Sequence, residues 1–440
     1  MRRPVLLTLT FGLAAALLVG GGFGMVRASD ARSSARGTRV VAAAGVARPV
    51  DPLARSLTKL QEQLRRVPGD WVSWAALGST YVEQGRVTVD PTYYPKAQGA
   101  LERSLRLNAT DNYQAMAGMG ALAAARHDFA GALTWAQKAS RINPYNASVY
   151  GVMGDALVEL GRYPEAFRSI QRMVDLKPGL SSFARASYTW ELRGDAGQAR
   201  AALQRALRAA GTPADAAFAR YYLGELAWNS GDLAGAAAQY TAGVSADPSY
   251  LPLLAGQAKV AAARGLTEAA IRDYTEVVAR VPQPLYVIEL AELYQSLGRQ
   301  QDAARTFALV RAEAKLFTAN GVNVDLELAL FDADHGDARA GLRAAQAEWS
   351  RRHSVFVADA LGWALHRVGR DREAFDYARQ ATRLGTRNAL FYFHLGVIEK
   401  SLGQRAAARA HLAEALAINP HFSFLQAPMA RQALAQLSGA

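Results

Sequence analysis

The sequence predicts an all-α chain, built as a solenoid of stacked helical hairpins. Three observations carry that prediction. Apolar residues recur with a helical period through roughly residues 52–422. One grammar of small and large side chains returns about every 34 residues. Glycine or proline then punctuates each repeat at the same places.

The clearest unit begins at Ala147. Tyr150, Met153, Gly154 and Leu157 share one helical stripe, and Gly161 ends the helix as a glycine in the left-handed conformation does. Pro164 opens a second helix, where its missing N–H costs nothing. That helix carries Ala166, Ile170 and Met173 on one face and stops before Pro178. Such an αα-hairpin cannot bury its apolar face alone, so it needs neighbours.

Ten units follow this plan, starting at Trp71, Tyr113, Ala147, Leu180, Ala217, Leu251, Pro284, Val322, Val355 and Ala389. The eighth position is small: Gly78, Gly120, Gly154, Ser187, Gly224, Ala258, Ala291, Ala329, Gly362 and Gly396. The fifteenth is glycine except at His127, and the twentieth is alanine except at Gly341. Four residues after the twentieth stands a large side chain such as Tyr240, Tyr274 or Phe307, and Pro144, Pro178, Pro248, Pro282 and Pro420 close units. Small residues at positions eight and twenty let paired helices approach, and the large ones fill the space beside that contact.

This signature resembles the tetratricopeptide repeat, over roughly residues 52–422. The resemblance implies a right-handed superhelix whose concave groove is lined by the first helix of each hairpin. It also implies a non-enzymatic scaffold that binds a protein or peptide. Some members clamp a C-terminal carboxylate with lysine, arginine and asparagine; that set is not present here, Lys259 standing isolated, so that role is unsupported.

The solenoid is expected over residues 51–422. A helix over 51–67 presents Leu53, Leu57, Leu60 and Leu64 and caps the first unit like the second half of a missing one. The first unit carries an insertion, VTVDPTY, between Gly85 and Tyr94, read as a loop. The seventh has a lengthened second helix running toward Lys315, broken at Asn320-Gly321. A C-terminal capping helix is expected within 423–440, near Met429 to Leu437.

Residues 1–28 read as an export signal or a membrane anchor. Arg2 and Arg3 precede an uncharged, apolar run over 4–26. Residues 29–50, rich in Ala, Ser, Gly and Arg, read as a flexible linker. Either reading places the repeats outside the cytoplasm, secreted or tethered to the membrane. The chain has no cysteine, which excludes disulfides and cysteine-based metal sites. Its net charge is +12, half of it in residues 1–50, so the repeat body lacks the basic stripe of a nucleic-acid binder.

No catalytic, cofactor or metal motif is present. The seven histidines are scattered, and the acidic run Asp332, Asp334, Asp337 around His335 coincides with a turn between helices. The concave face is more informative. With the core built from positions four, seven, eight and eleven, positions two, five, nine and twelve point the other way. They are bland early on, at Ala75, Ser79, Ala117, Ala121 and Ala124. From the fourth unit they become Tyr188 and Glu191, then Tyr221, Glu225 and Trp228, then Lys259 and Glu292, and later Asp359, Trp363 and His366. Aromatic anchors among carboxylates suit an extended peptide with basic character. Two further readings use the same features: an accessory subunit of an envelope enzyme or transporter, and a solenoid that stacks glycans or small ligands on its exposed rings.

Overall fold

The computed structural model describes residues 52–438. The expected signal or anchor over 1–28 and the linker over 29–50 lie outside the described residues. Within them the regular structure is helical. α1 (Pro52–Arg66) leads into ten hairpins. The first five pair α2 (Trp71–Thr88) with α3 (Tyr93–Leu107), α4 (Tyr113–Ala125) with α5 (Phe129–Ile142), α6 (Ala147–Glu159) with α7 (Tyr163–Leu176), α8 (Leu180–Leu192) with α9 (Ala196–Arg208), and α10 (Pro213–Asn229) with α11 (Leu233–Ala246). The next five pair α12 (Leu251–Ala263) with α13 (Thr267–Arg280), α14 (Pro284–Ser296) with α15 (Gln300–Ala319), α16 (Asp325–His335) with α17 (Ala338–Arg351), α18 (Val355–Arg367) with α19 (Asp371–Thr382), and α20 (Ala389–Ser401) with α21 (Arg405–Ile418). α22 (Gln426–Ser438) closes the series and packs on α20 and α21 as a first helix does on the preceding unit. No helix among the described residues is long and apolar enough to cross a membrane.

Local chemistry sets the helix ends. Asp128, Asp195 and Asp232 each follow a turn and accept the backbone N–H three residues on, at 2.9, 2.9 and 2.8 Å, satisfying a donor that has no partner within the helix. The turn before each requires a positive φ. Glycine supplies it in most units, and His127 adopts it at φ 61°. Two expectations are corrected here. α2 runs through Gly85 to Thr88, and Val89 takes the left-handed conformation at φ 57°, so the first two residues of the insertion lengthen the helix and the turn falls at 89–92. Gly336 ends α16 in an extended conformation, at φ −134°.

The small and large positions pack reciprocally. A Cβ on Gly224 would collide with the Tyr240 ring, and the same ring fills the space beside Gly256 of the next unit. Tyr240 is fully buried as a result. Gly154 faces Ile170 and Gly396 faces Leu412 in the same manner, each large residue sitting at position twenty-four of its unit. The twentieth-position alanines, among them Ala132, Ala166 and Ala270, are wholly buried.

The superhelix closes on itself. Hairpin turns of the second to fifth units dock on inter-unit junctions five units later. At the first point, Asn323 N–H donates to Arg126 O at 3.1 Å and His127 Nδ1 lies 2.6 Å from Asn323 O. At the second, Val355 N–H donates to Tyr163 Oη at 2.8 Å, and Arg352 pairs with Glu159. Thr386 Oγ1 donates to Leu192 O at 2.7 Å, and Asn419 Nδ2 donates to Trp228 O at 2.9 Å. The sequence offset across these bonds stays between 191 and 197 residues. Backbone meets backbone closely here: a Cβ on Gly194 would fall within the envelope of the Gly385 carbonyl oxygen. The long α15 serves the same closure, because Ala314 and Phe317, with Val322 and Val324 beyond it, pack among Val82, Tyr94 and Leu122 of the first two units.

Candidate functional site: the inner face of the superhelix

The residues expected to line an open groove are positioned by successive first helices, but the groove is not open. Tyr188, Tyr221, Trp228, Asp359 and Trp363 are buried, none more than 5% exposed. Glu191, Glu225, Glu292 and His366 are half-buried. The cause is the tight winding. Tyr188, Tyr221 and Trp228 belong to one apolar cluster with Val355, Ala358 and Phe391, which come from the following turn of the solenoid. Side chains that a wide superhelix leaves on its concave wall become core in a narrow one.

Charges at position nine, and in the ninth unit at position five, form staples between neighbouring units, and their partners stand at position six of the next unit. Asp155 binds Arg185 at 2.8 Å, Lys259 stands 4.0 Å from Glu289, and Asp359 binds His394 Nδ1 at 2.9 Å. Sequence reasoning missed position six. The signal available was a pair of opposite charges separated by 30 residues, as in Asp155 and Arg185 or Lys259 and Glu289, or by 35, as in Asp359 and His394.

The most charged stretch runs along α8, α10, α12 and α14. Lys259 Nζ donates to both Glu225 oxygens, at 3.0 and 2.9 Å, and lies over the Trp228 ring at 5.3 Å. Tyr240 Oη donates to Glu225 at 2.6 Å and Tyr274 Oη to Glu289 at 3.1 Å. Burial pushes the Glu289 carboxyl up to about 7 against the opposing pull of Lys259. Burial does the same to Glu191, also to about 7, aided by the charge of Glu225. Glu191 accepts a hydrogen bond from Ser187 at 3.2 Å and has no basic partner among the described residues. One lysine therefore serves the carboxylates of Glu225 and Glu289 while Glu191 stands beside them unpaired.

Further along, Glu292 lies 2.9 Å from His335 Nε2, and His335 stacks on Phe307. The Trp363 indole N–H donates to Asp334 at 2.9 Å and its ring stacks on His394 at 4.1 Å. His366 Nδ1 lies 2.5 Å from Asp371. The acidic run at the α16 end disperses: Asp332 faces Arg311, Asp334 faces Trp363 and Gln426, and Asp337 caps α17. Those carboxylates diverge, and no group of three or more potential ligands converges on one point among the described residues.

Stacked antiparallel hairpins with interlocking small and large positions define a helical-repeat solenoid. Residues 193–250 and 389–422 each match a sequence model of the tetratricopeptide repeat. The chain is a tetratricopeptide-repeat protein, and that fold is one of protein–protein interaction scaffolds, which are generally non-enzymatic. Curated proteins give no match. Solved structures similar to it include the Cut9–Hcn1 hetero-tetramer of the APC/C, at 16% identity over 87% of this chain and 81% of that one, TM-score 0.39. The human IFIT1 dimer with m7Gppp-AAAA is similar at 14% identity over 75% and 76%, TM-score 0.48. A tetratricopeptide repeat protein from Parabacteroides merdae shows 18% identity over 59% of this chain and 99% of that one, TM-score 0.34. With TM-scores below 0.5, none of these carries its function over to this chain.

Proposed function

We propose that this protein is a non-enzymatic scaffold that holds an extended, basic segment of a protein partner against its inner carboxylates. The supporting observation is the acid surplus around Glu191, Glu225 and Glu289 on α8, α10 and α14, where Lys259 of α12 serves Glu225 and Glu289 and Glu191 has no basic partner among the described residues. A cationic side chain entering there gains charge-assisted hydrogen bonds and relieves carboxylates that burial has made costly. Its apolar N-terminal segment supports a place outside the cytoplasm, by secretion or by membrane tethering.

The test is cross-linked capture from intact cells with the wild type and a Glu191→Gln/Glu289→Gln double variant of verified fold. A partner held by the wild type and lost from the variant supports the inner face as the working surface; one retained by both sinks this reading. Location is tested separately by an alkaline phosphatase fusion at the C terminus, which is active only outside the cytoplasm.

The accessory-subunit reading has one observation in its favour. Leu266 and Leu297 are 58% and 43% exposed at adjacent hairpin turns, where Gly265 and Gly298 meet no neighbouring atom within 4 Å. These turns continue the row that docks in earlier units and offer an apolar edge on the outside. Retention of the partner by the double variant and its loss on Leu266→Asp favours that surface. A glycan-stacking role finds no support, since Trp228 and Trp363 present buried rings.

A further inference from the structure

Charge on the outer surface is unevenly placed. Six residues after the twentieth-position alanine, at position twenty-six, the first four units carry Arg103, Lys138, Arg172 and Arg205, all exposed. The later units place Ala242, Glu276, Leu309, Ala347, Gln380 and Glu414 there. Three residues further on stand Arg106, Arg141 and Arg208, also exposed, with Asp175 as the third unit's exception. Equivalent positions on successive second helices fall in a row, one helix-packing step of about 10 Å apart. α3, α5, α7 and α9 therefore present two parallel rows of cations on the outside, away from the inner carboxylates.

These cations are free to meet a ligand. Among the described residues only Arg106 of the seven has a carboxylate within ion-pairing distance, Glu102 at 3.8 Å. Lys138 lies over the Trp135 ring and Arg172 over that of Tyr150, at 4.6 and 6.0 Å. The net charge of the repeat body conceals the rows, because carboxylates on the inner face and in the later units offset them. Unpaired cations spread over several helices gain most from a broad anionic surface.

Apolar neighbours say which kind of surface. Tyr145, 76% exposed, projects from the loop four residues beyond Arg141, and Val67, 47% exposed, follows Arg65 and Arg66 at the end of α1. Phenol rings and aliphatic groups beside cations suit the interfacial layer of a bilayer, whereas a nucleic-acid duplex offers phosphates and no apolar layer. The uncharged apolar run over 4–26 also lies on the N-terminal side of these same units.

We propose that the outer face of the first four units is a lipid-docking surface. It lays the solenoid against an anionic bilayer, with Arg103, Lys138, Arg172 and Arg205 toward the headgroup phosphates and Tyr145 in the interfacial layer. The inner face is left turned away from the lipid, so this surface operates whatever that face holds.

The chain has no cysteine, so one environment-sensitive nitrobenzoxadiazole label reads each face separately. One full-length protein carries it at Ala109→Cys, in the exposed loop three residues beyond Arg106, and another at Leu309→Cys, the exposed position twenty-six of the seventh unit. Vesicles are pure phosphatidylcholine, or phosphatidylcholine mixed with phosphatidylglycerol. The N-terminal segment is common to every arm. The expected result is a blue shift at 109 with the mixed vesicles alone, and none at 309. Molar salt, which screens charges within about 3 Å, removes the shift without any substitution.

Each cation near an anionic surface tightens binding about fivefold. The Arg103→Gln/Lys138→Gln/Arg172→Gln/Arg205→Gln variant, with helical circular dichroism retained, is therefore expected to need at least about a hundredfold more lipid for the same shift. Arg264→Gln/Arg339→Gln/Arg405→Gln/Arg409→Gln loses the same charge at exposed sites elsewhere and is expected to behave as the wild type. No shift at 109, equal shifts at 109 and 309, a shift that survives molar salt, or equal losses in the two variants overturns the proposal. So does binding to a random-sequence DNA duplex that is tighter than binding to the mixed vesicles at the same salt and lost in the first variant, since the rows then serve a nucleic acid.

Discussion

Replacing Glu191 by glutamine should stabilise the protein at pH 8 and change little at pH 4.5. Burial raises this carboxyl from 4.5 to about 7 in the folded chain. The folded state then holds a proton that the unfolded state has released. A raised carboxyl contributes stability that is complete below the unfolded value and lost as pH rises through about 7. The gap between the two values, at about 1.4 kcal/mol per unit, sets a ceiling of about 3 kcal/mol on what ionisation costs. Glu191 keeps some contact with solvent and the amide must itself be half-buried, so the net gain at pH 8 is about 1–2 kcal/mol. Urea midpoints followed by far-UV circular dichroism at both pH values measure it. A variant less stable than wild type at pH 8, or an equal shift at both pH values, refutes the argument. A gain means that the fold carries a carboxylate against its own stability, as binding sites do.

Three further outcomes follow from the packing. Ala166→Leu overfills the contact behind Gly154 and Ile170 and is expected to cost about 1–3 kcal/mol in urea unfolding; no loss means that the twentieth position is not a helix–helix contact. Lys259→Met leaves Glu225 and Glu289 without their cation and destabilises by about 2–4 kcal/mol at pH 8. That deficit shrinks at pH 5.5, since Glu289, already pushed up to about 7, takes a proton more readily; a deficit independent of pH contradicts the pairing. Tyr163→Phe strands the Val355 N–H at the closure and costs about 1–3 kcal/mol, with faster hydrogen exchange at Val355 as the local readout.

Much of the fold was legible because its information is local. Gly154 with Ile170, Gly224 with Tyr240 and Asp195 as a cap lie within one hairpin, and their spacing repeats. The lengthened α15 was visible in its unbroken apolar period. Val89 was not, because a β-branched residue gives no signal for a left-handed turn, and glycine at 85 pointed to the wrong place. The candidate site was legible in part. Periodicity placed Tyr188, Tyr221, Trp228 and Trp363 on the face of their helices turned away from the hairpin contact, and the structure shows them buried there. Their burial depends on the superhelical radius, which accumulates from small rotations between many units and appears at no single position. The closure is equally invisible: Arg126 and Asn323, or Trp228 and Asn419, are ordinary residues until winding brings them together.

That winding also makes the number of repeats a fixed quantity. Solenoids generally gain and lose whole units freely, since each unit answers only to its neighbours. Here every docking turn must meet a junction five units on, so duplication or deletion of one unit inside the fifth-to-seventh stretch slides all four docking points out of register at once. Units added at the ends leave them matched. The central repeats are therefore a ruler whose length is set by geometry, and recombination between neighbouring repeats, the usual route by which such proteins change size, is open to this chain only at its ends.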